Sequence, residues 1–282
     1  TGNELNNVFD VDRIIVSGEN VNLVITNNLF SESVSAVSGS SATIDASAAT
    51  GNTFVNASAE TSSGIYIIAA GGNDTLRGGA GSDVILAGNG NNKLIGGRGS
   101  DSVVGGTGAD LFVVDTIDAV AGDLDQDSYI GGTGGQDTLV FNSIVDGSEF
   151  DLSNDYVSQI EVFSYGEADP SVSMTGAQAA DSNVVSILGS VSTTDRLVLT
   201  SAATVSFVGR MAGIESILGS AYNDSIVGPA YNMVIAGGAG DDTLVGSSES
   251  DTLMGQADND VLFAGSGSDV VDGGSGNDTV LF

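Results

Sequence analysis

Aspartate recurs every nine residues in two stretches of the chain, and such a row of carboxylates is suited to binding cations. The first array is five nonapeptides spanning 69–113, with these residues at position six: Asp74, Asp83, Asn92, Asp101 and Asp110. The second array is seven nonapeptides spanning 219–281, with these residues at position six: Asp224, Met233, Asp242, Asp251, Asp260, Asp269 and Asp278. Carboxylate oxygens are the ligands that hard divalent cations such as Ca²⁺ prefer. The spacing therefore predicts multiple cation sites.

The other positions of the nonapeptide indicate how these carboxylates are held. Glycine favours positions one, two and four, where it allows turns with positive φ and brings backbone carbonyls close to a ligand. The apolar residue at position eight, such as Leu76 or Phe112, lies in a triplet typical of a short strand with one inward side chain. One such strand cannot bury a core, so we expect a stack in which two nonapeptides form each 18-residue coil. Carboxylates stacked about 4.8 Å apart would repel one another without a cation between them.

The pattern resembles the GGxGxDxUx nonapeptides of the RTX family, which form calcium-loaded parallel β-rolls. The resemblance implies an all-β fold, a right-handed parallel β-roll or β-helix solenoid with two nonapeptide arrays and strand-rich spacer coils. It also implies that turn carbonyls and the position-six carboxylates of stacked loops hold each Ca²⁺. The implied carboxylate pairs are Asp83/Asp101, Asp224/Asp242, Asp242/Asp260, Asp260/Asp278 and Asp251/Asp269. The implied glycine ligands are Gly79, Gly81, Gly97, Gly99, Gly106, Gly108, Gly238, Gly240, Gly265, Gly267, Gly274 and Gly276.

Several repeats depart from this pattern, so we expect fewer complete sites than repeats. Asn92 supplies a neutral ligand within the row that contains Asp74 and Asp110, and Met233 supplies none. Position four, where a left-handed turn favours glycine, is occupied in four repeats by a side chain that would strain that turn or force another conformation: Tyr222, Tyr231, Glu249 and Asp258. An irregular repeat at 131–141 offers Asp137 as a further ligand that would extend the first row.

Composition restricts the classes of function. The formal charge is −31, from 37 acidic and 6 basic residues, so an electrostatic footprint for nucleic acid is absent. The chain has no cysteine and no histidine, which excludes disulfides, Cys/His zinc sites and mechanisms that use a histidine base. No run of 18 apolar residues predicts a transmembrane helix. Because Thr1 is not an initiator and no signal peptide is visible, we expect a fragment of a secreted protein, with any type I secretion signal beyond Phe282.

The chain divides by pattern into four segments. Capping or spacer coils cover 1–68, the first array and an acidic loop cover 69–141, further spacer coils cover 142–218, and the second array covers 219–282. In the spacers, β-branched runs predict strands at 13–17, 21–26, 33–37, 42–44, 53–56, 64–68, 159–163, 184–188, 196–200 and 204–208. The segment GAQAA at 176–180 predicts a short helix or a loop, and Pro170 marks the expected break between subdomains.

The acidic loop is a further candidate for calcium binding. It carries Asp115, Asp118, Asp123, Asp125 and Asp127, but it lacks the glycine and the final glutamate of an EF-hand. Its aspartates predict either a looser calcium site or a solvated loop.

Three functions remain open, and the first is favoured. The first is a calcium-folded structural and assembly module of a bacterial surface layer, because TIDASAATGNTF at 43–54 is similar to rungs of calcium-dependent S-layer proteins. Such a module would self-associate into a lattice at the cell surface and could contact surface polysaccharide through bridging cations. The second is a segment of an RTX adhesin. The third is a module of a secreted enzyme, which is disfavoured because the chain has one lysine, no tryptophan and scattered arginines.

Overall fold

The computed structural model describes residues 3–4, 13–25, 42–61, 64–115, 126–142, 149–166, 171–190 and 194–282. Within these ranges the chain consists of short parallel β-strands and one short helix, which wind into a β-solenoid as the nonapeptides predicted. No helix in these ranges has the length and apolar character needed to cross a membrane. The predicted strand at 33–37, the expected break at Pro170 and the loop residues Asp118, Asp123 and Asp125 lie outside the described residues.

The chain forms two compact units. Unit 1 comprises Thr1–Val140 and Asn154–Ile160, and unit 2 comprises Phe141–Ser153 and Glu161–Phe282. The first array lies in unit 1 and the second array lies in unit 2. The finer division into four segments stays a prediction.

Twenty-nine strands cover most of the described residues. The first fifteen are β1 Asn3–Glu4, β2 Arg13–Gly18, β3 Val21–Val24, β4 Ala42–Ala49, β5 Thr53–Asn56, β6 Ile65–Ile68, β7 Thr75–Arg77, β8 Val84–Asn89, β9 Lys93–Ile95, β10 Ser102–Thr107, β11 Leu111–Asp115, β12 Ser128–Thr133, β13 Thr138–Asn142, β14 Glu149–Asp151 and β15 Tyr156–Ser158. The others are β16 Val162–Tyr165, β17 Ser171–Met174, β18 Ser186–Leu188, β19 Arg196–Leu199, β20 Thr204–Ser206, β21 Met211–Ala212, β22 Ser216–Leu218, β23 Ser225–Val227, β24 Val234–Ala239, β25 Thr243–Val245, β26 Thr252–Ala257, β27 Val261–Phe263, β28 Val270–Ser275 and β29 Thr279–Leu281.

The strands pair with partners one coil away, and not with their neighbours in sequence. In unit 1, one sheet has the order β15-β12-β10-β8-β6-β4-β2, and another runs from β1 through β3, β5, β7, β9 and β11. In unit 2, the sheets have the orders β14-β17-β19-β22-β24-β26-β28 and β20-β23-β25-β27-β29. Within the arrays the register is 18 residues, as in Ser102↔Val84 and Thr252↔Val234. This register confirms that two nonapeptides form one coil.

The apolar position-eight residues fill the interior, as the triplet pattern predicted. Leu76, Ile85, Leu94, Val103 and Phe112 are fully buried in the first array. In the second array the buried residues at this position are Ile226, Ile235, Leu244, Leu253 and Leu262. Each contributes dispersion contacts and buried apolar area, so each array has its own continuous core although each strand is only a few residues long.

The spacers contain the strands that their β-branched runs predicted, with bounds that differ by a few residues where the structure describes them. The segment 176–180 is a helix, Gly176–Ala180, and Thr175 caps its N-terminus. The Thr175 side chain accepts from the backbone N–H of Gln178, whose own side chain accepts from the backbone N–H of Thr175. This reciprocal capping box explains why so short a segment is helical.

Candidate metal centre

The position-six carboxylates form ladders that run along the coils. Where the preceding coil also belongs to the array, the Oδ1 of a position-six carboxylate accepts a hydrogen bond from the backbone N–H of the position-six residue in that coil. In the second array, Asp224, Asp242 and Asp260 donate to the next carboxylate over 2.8, 2.8 and 3.1 Å. On the other edge, Met233 and Asp251 donate to Asp251 and Asp269 over 2.9 and 3.0 Å. The ladder therefore fixes one oxygen of each carboxylate and directs the other towards the turn.

These ladders extend beyond the arrays. The backbone N–H of Thr53 donates to Asp74, that of Ile65 to Asp83 and that of Ala203 to Asp224, each over 2.6 Å. The first array continues downstream in the same way, because Asp101 donates to Asp127, Asp110 to Asp137 and Asp127 to Asp155. Asp127 of the acidic loop is thus a ladder residue, and its Oδ2 accepts from the Tyr129 hydroxyl over 2.8 Å.

In four of the ladder carboxylates, the second oxygen atom, Oδ2, is buried where a cation would stabilise it. Asp74, Asp110, Asp242 and Asp260 are each at most 2% exposed, and the Oδ2 atom of each is buried without a hydrogen-bond partner. A buried ionised oxygen without a partner is costly, and a bound cation would remove that cost.

Burial also raises the pKa of several ladder carboxyls. Desolvation is the main cause at Asp242, where backbone hydrogen bonding opposes it and Asp224 and Asp260 add repulsion, and the pKa rises to about 7. Desolvation raises the pKa of Asp83 to about 6, with repulsion from Glu60 as a smaller contribution. The pKa values of Asp74, Asp110 and Asp260 are raised for the same first reason. Without a cation, these groups are therefore reluctant to ionise.

At Asp110, Asp242 and Asp260, glycine at position one leaves the space that the second carboxylate oxygen faces, a role that the sequence patterns did not identify. A Cβ at Gly105 would lie 2.2 Å from Asp110 Oδ2 and 2.7 Å from the Gly131 carbonyl oxygen. A Cβ at Gly255 would lie 2.2 Å from Asp260 Oδ2 and 2.5 Å from the Gly273 carbonyl oxygen. Position one of the next coil therefore offers a carbonyl oxygen beside each carboxylate.

The glycines at positions two and four shape the turns, as their spacing predicted. Positive φ angles occur at Gly81, Gly97, Gly99, Gly106, Gly108, Gly238, Gly240, Gly265, Gly267, Gly274 and Gly276. Gly79 differs, since its φ is not positive and its backbone N–H donates to Asp83 Oδ2 over 2.7 Å.

Side chains at position four alter the turn in the two ways that were expected. Asp258 adopts the left-handed conformation with φ 75°. Tyr222, Tyr231 and Glu249 do not have positive φ, so their turns take another conformation. The short polar side chain of aspartate tolerates the left-handed region, whereas tyrosine and glutamate are disfavoured there.

The two neutral position-six residues affect the ladders differently. The Asn92 side chain accepts from the Asp74 backbone N–H over 2.9 Å and donates to Asp110 Oδ1 over 2.9 Å. Met233 is buried, and its backbone N–H still donates to Asp251. Asn92 therefore continues its ladder in both directions, whereas Met233 only donates to the next coil and offers no side-chain oxygen to a cation.

A second ladder runs along position five on the surface. Asn73 donates its backbone N–H to the Asn52 side chain, Asn91 to Asn73, and Ala109 to Asn91, each over 2.9 Å. In the second array, the side chains that accept in the same way are Asn223, Asp241 and Asn259. These bonds need no ion, so they hold adjacent coils in register independently of calcium.

The ladder carboxylates and the turn carbonyls are suited to binding Ca²⁺. In the part of the chain that the structure describes, no three carboxylates gather at one point. Carbonyl oxygens must therefore complete each site, which suits Ca²⁺ because it takes six to eight oxygen ligands of mixed type. Asp74, Asp110, Asp242 and Asp260 would hold the ions together with turn carbonyls. A bound ion would supply positive charge that neutralises the buried carboxylates and joins consecutive coils.

The raised pKa values predict an unusual pH dependence for the calcium-free protein. Asp83 and Asp242 bind protons more tightly when folded, so the free energy of unfolding rises as pH falls from about 7 towards 4. Because Ca²⁺ needs ionised carboxylates, the calcium-loaded protein should instead lose stability over this range. Thermal melting at pH 8 and pH 5, with chelator and with saturating calcium, measures both slopes. Equal slopes in the two conditions would contradict the prediction.

Comparison with known families agrees with this geometry. The family described as RTX calcium-binding nonapeptide repeat (4 copies) matches residues 66–94, 77–112, 211–244, 218–252 and 245–280. No curated protein and no solved structure matches the chain significantly. The matched segments contain the coils whose carboxylate oxygens are buried without partners. Both arrays of this chain are therefore RTX calcium-binding nonapeptide repeats.

Proposed function

We propose that this chain is a non-enzymatic module of a secreted bacterial surface-layer protein, which folds and assembles on extracellular calcium. The observation that carries the folding part is the set of buried Oδ2 atoms without partners at Asp74, Asp110, Asp242 and Asp260. Without a cation, each of these groups in the folded chain would either carry an uncompensated buried charge or have to hold a proton, and Ca²⁺ is the cation that the repeats bind.

Folding and ion binding would be coupled, so the calcium-free chain would be only marginally stable. The ligands of one site come from different coils, so the site does not exist in the unfolded chain. In a calcium-poor compartment, the formal charge of −31 destabilises the folded chain through self-repulsion. Calcium outside the cell would neutralise the ladders and allow the coils to stack.

The assembly part is supported by the acidity of the chain and by the similarity of 43–54 to surface-layer rungs. Two copies with this charge repel one another, and bridging divalent ions would reverse that repulsion. The repeats and strand-rich spacers extend through most of the chain, which suits a structural role. A segment of an adhesin, or an accessory module of a secreted enzyme, would share the calcium-dependent fold but not the self-association.

A calcium titration of the whole chain, followed by far-UV circular dichroism and light scattering, tests both parts. We expect a transition from coil to β-structure, accompanied by an increase in particle mass. A folding transition at constant mass would contradict the assembly part. Absence of any calcium-dependent transition would contradict the folding part. Magnesium at the same concentration is the control, because it dehydrates reluctantly and should not replace calcium.

A further inference from the structure

The second array has two kinds of carboxylate, and the residue at position two distinguishes them. We infer that Ser220 and Ser247 act as selectivity residues that close their coils to calcium, so that Asp224 and Asp251 hold no ion. Calcium in the middle of this array then depends on Asp242 and Asp260. The inference rests on the proposed calcium-dependent folding, and it goes further by assigning which repeats bind.

In the coils of Asp224 and Asp251, which we call the closed coils, a serine already donates hydrogen bonds to the carboxylate. Asp224 Oδ2 accepts from the Ser220 backbone N–H over 2.6 Å and from the Ser220 hydroxyl over 2.9 Å. Asp251 Oδ2 accepts from the Ser247 backbone N–H over 2.6 Å and from the Ser247 hydroxyl over 3.0 Å. Two donors at these distances supply the partners that a cation would otherwise provide.

In the coils of Asp242 and Asp260, which we call the open coils, the carboxylate Oδ2 atom receives no hydrogen bond. The Oδ2 atoms of Asp242 and Asp260 are buried without a hydrogen-bond partner. They also lie closer to the space above the position-one glycine, 2.2 Å from a Cβ at Gly237 or Gly255. The corresponding distances are 2.8 Å for Asp224 at Gly219 and 2.9 Å for Asp251 at Gly246. Serine therefore accompanies a carboxylate oxygen that lies farther from this space.

Backbone conformation explains why serine has this effect. The open coils have positive φ at position two, with 114° at Gly238 and 80° at Gln256. Ser220 and Ser247 do not have positive φ, so their N–H groups point at the carboxylate, as that of Gly79 does in the first array, and serine adds its hydroxyl as a second donor. The hydroxyls also accept from the backbone N–H of Tyr222 and Glu249, so the turn is satisfied without glycine at position four. The serine and the side chain two residues later therefore belong to one closed turn.

The two closed coils differ in their place along the ladders. Asp224 begins the edge that continues through Asp242 and Asp260, so closure removes the first step of that edge. Asp251 follows Met233 on the other edge, so two consecutive coils there offer no open carboxylate. Calcium in the middle of the second array is therefore confined to one edge.

Counting bound ions in the whole chain tests this assignment. Calcium-saturated protein is dialysed, and its metal content per chain is measured by mass spectrometry for D224N/D251N and for D242N/D260N. We expect D242N/D260N to lose about one ion or more per chain and D224N/D251N to keep the wild-type number. Equal losses in the two variants would overturn the inference.

A gain of calcium in opened coils provides an independent test, which stays informative if D224N/D251N fails to fold. The variant S220G/Y222G/S247G/E249G restores glycine at positions two and four, and we expect it to bind more calcium than the wild type. The control S220A/S247A removes the hydroxyls but keeps the backbone N–H donors and the preference against positive φ, so its ion count should not rise. An unchanged count in the glycine variant would overturn the inference. Absence of calcium from the wild type would instead overturn the proposed function.

Discussion

Gly106→Ala is expected to destabilise the first array severely. Gly106 has φ 112°, and an added Cβ would lie 2.1 Å from the Gly88 carbonyl oxygen of the preceding coil. Left-handed strain costs roughly 1–2 kcal/mol for a residue with a Cβ. The backbone collision adds to it, because coils in register cannot separate locally without breaking ladder bonds. We expect a total of about 3 kcal/mol or more, which is at or above the upper end of ordinary single-site losses.

Gly71→Ala is the matched control for this substitution. Gly71 lies in the first array, its φ is not positive, and an added Cβ would meet no atom within 4 Å. Its effect should stay within about 0.5 kcal/mol. Urea unfolding of both variants at saturating calcium, followed by far-UV circular dichroism, measures the difference. Similar midpoints would show that the coils can shift to accept a side chain, contrary to the close stacking described above.

Asp242→Asn is expected to change the free energy of unfolding in opposite directions with and without calcium. At pH 8 in chelator, the wild-type chain must keep a buried carboxylate ionised above its raised pKa of about 7, and the neutral amide removes that cost. The variant should therefore melt at a higher temperature than the wild type. With saturating calcium it should melt at a lower temperature, because the ion loses a charged ligand.

Asp241→Asn is the control, since it removes the same charge one residue away. Asp241 is exposed and belongs to the position-five ladder, where asparagine is already present at Asn223 and Asn259. Its effect should be small, and of the same sign in both conditions. Differential scanning calorimetry of the two variants in chelator and in calcium gives the four comparisons. If Asp242→Asn destabilises the chain in both conditions, the carboxylate is held by bonds other than those to a cation.

Periodicity alone predicted the coil, its inward side chains and the stacking of position-six carboxylates. It did so because the same backbone conformation recurs every nine residues and places the same position at the same point of the coil. Departures at position four were also informative, because positive φ penalises side chains in a known way. That rule allowed two outcomes and both occur, a left-handed turn at Asp258 and another conformation at Tyr222 and Glu249.

The remaining features could not be predicted from the pattern. Thr53, Ile65 and Ala203 join the carboxylate ladders through backbone N–H groups, which every residue except proline possesses. Their offsets from the carboxylates are 21, 18 and 21 residues, so they fall outside a strict repeat in two of three cases. The closing role of serine was equally hidden, because a serine beside a glycine-rich turn has no single preferred partner until the turn is known.

The 18-residue register constrains how such a chain can change in length. Inserting two nonapeptides would add one complete coil and leave each later residue on its own edge. A single inserted nonapeptide would move every later residue to the opposite edge. The edge that contains Met233 would then be continued by residues that now stack on the edge of Asp242, and the reverse. The length of a loop between coils is less restricted, because the position-six ladder continues from Asp110 to Asp137 although 27 residues separate them. Gene duplication should therefore add these repeats in pairs, while single loops between strands are free to grow.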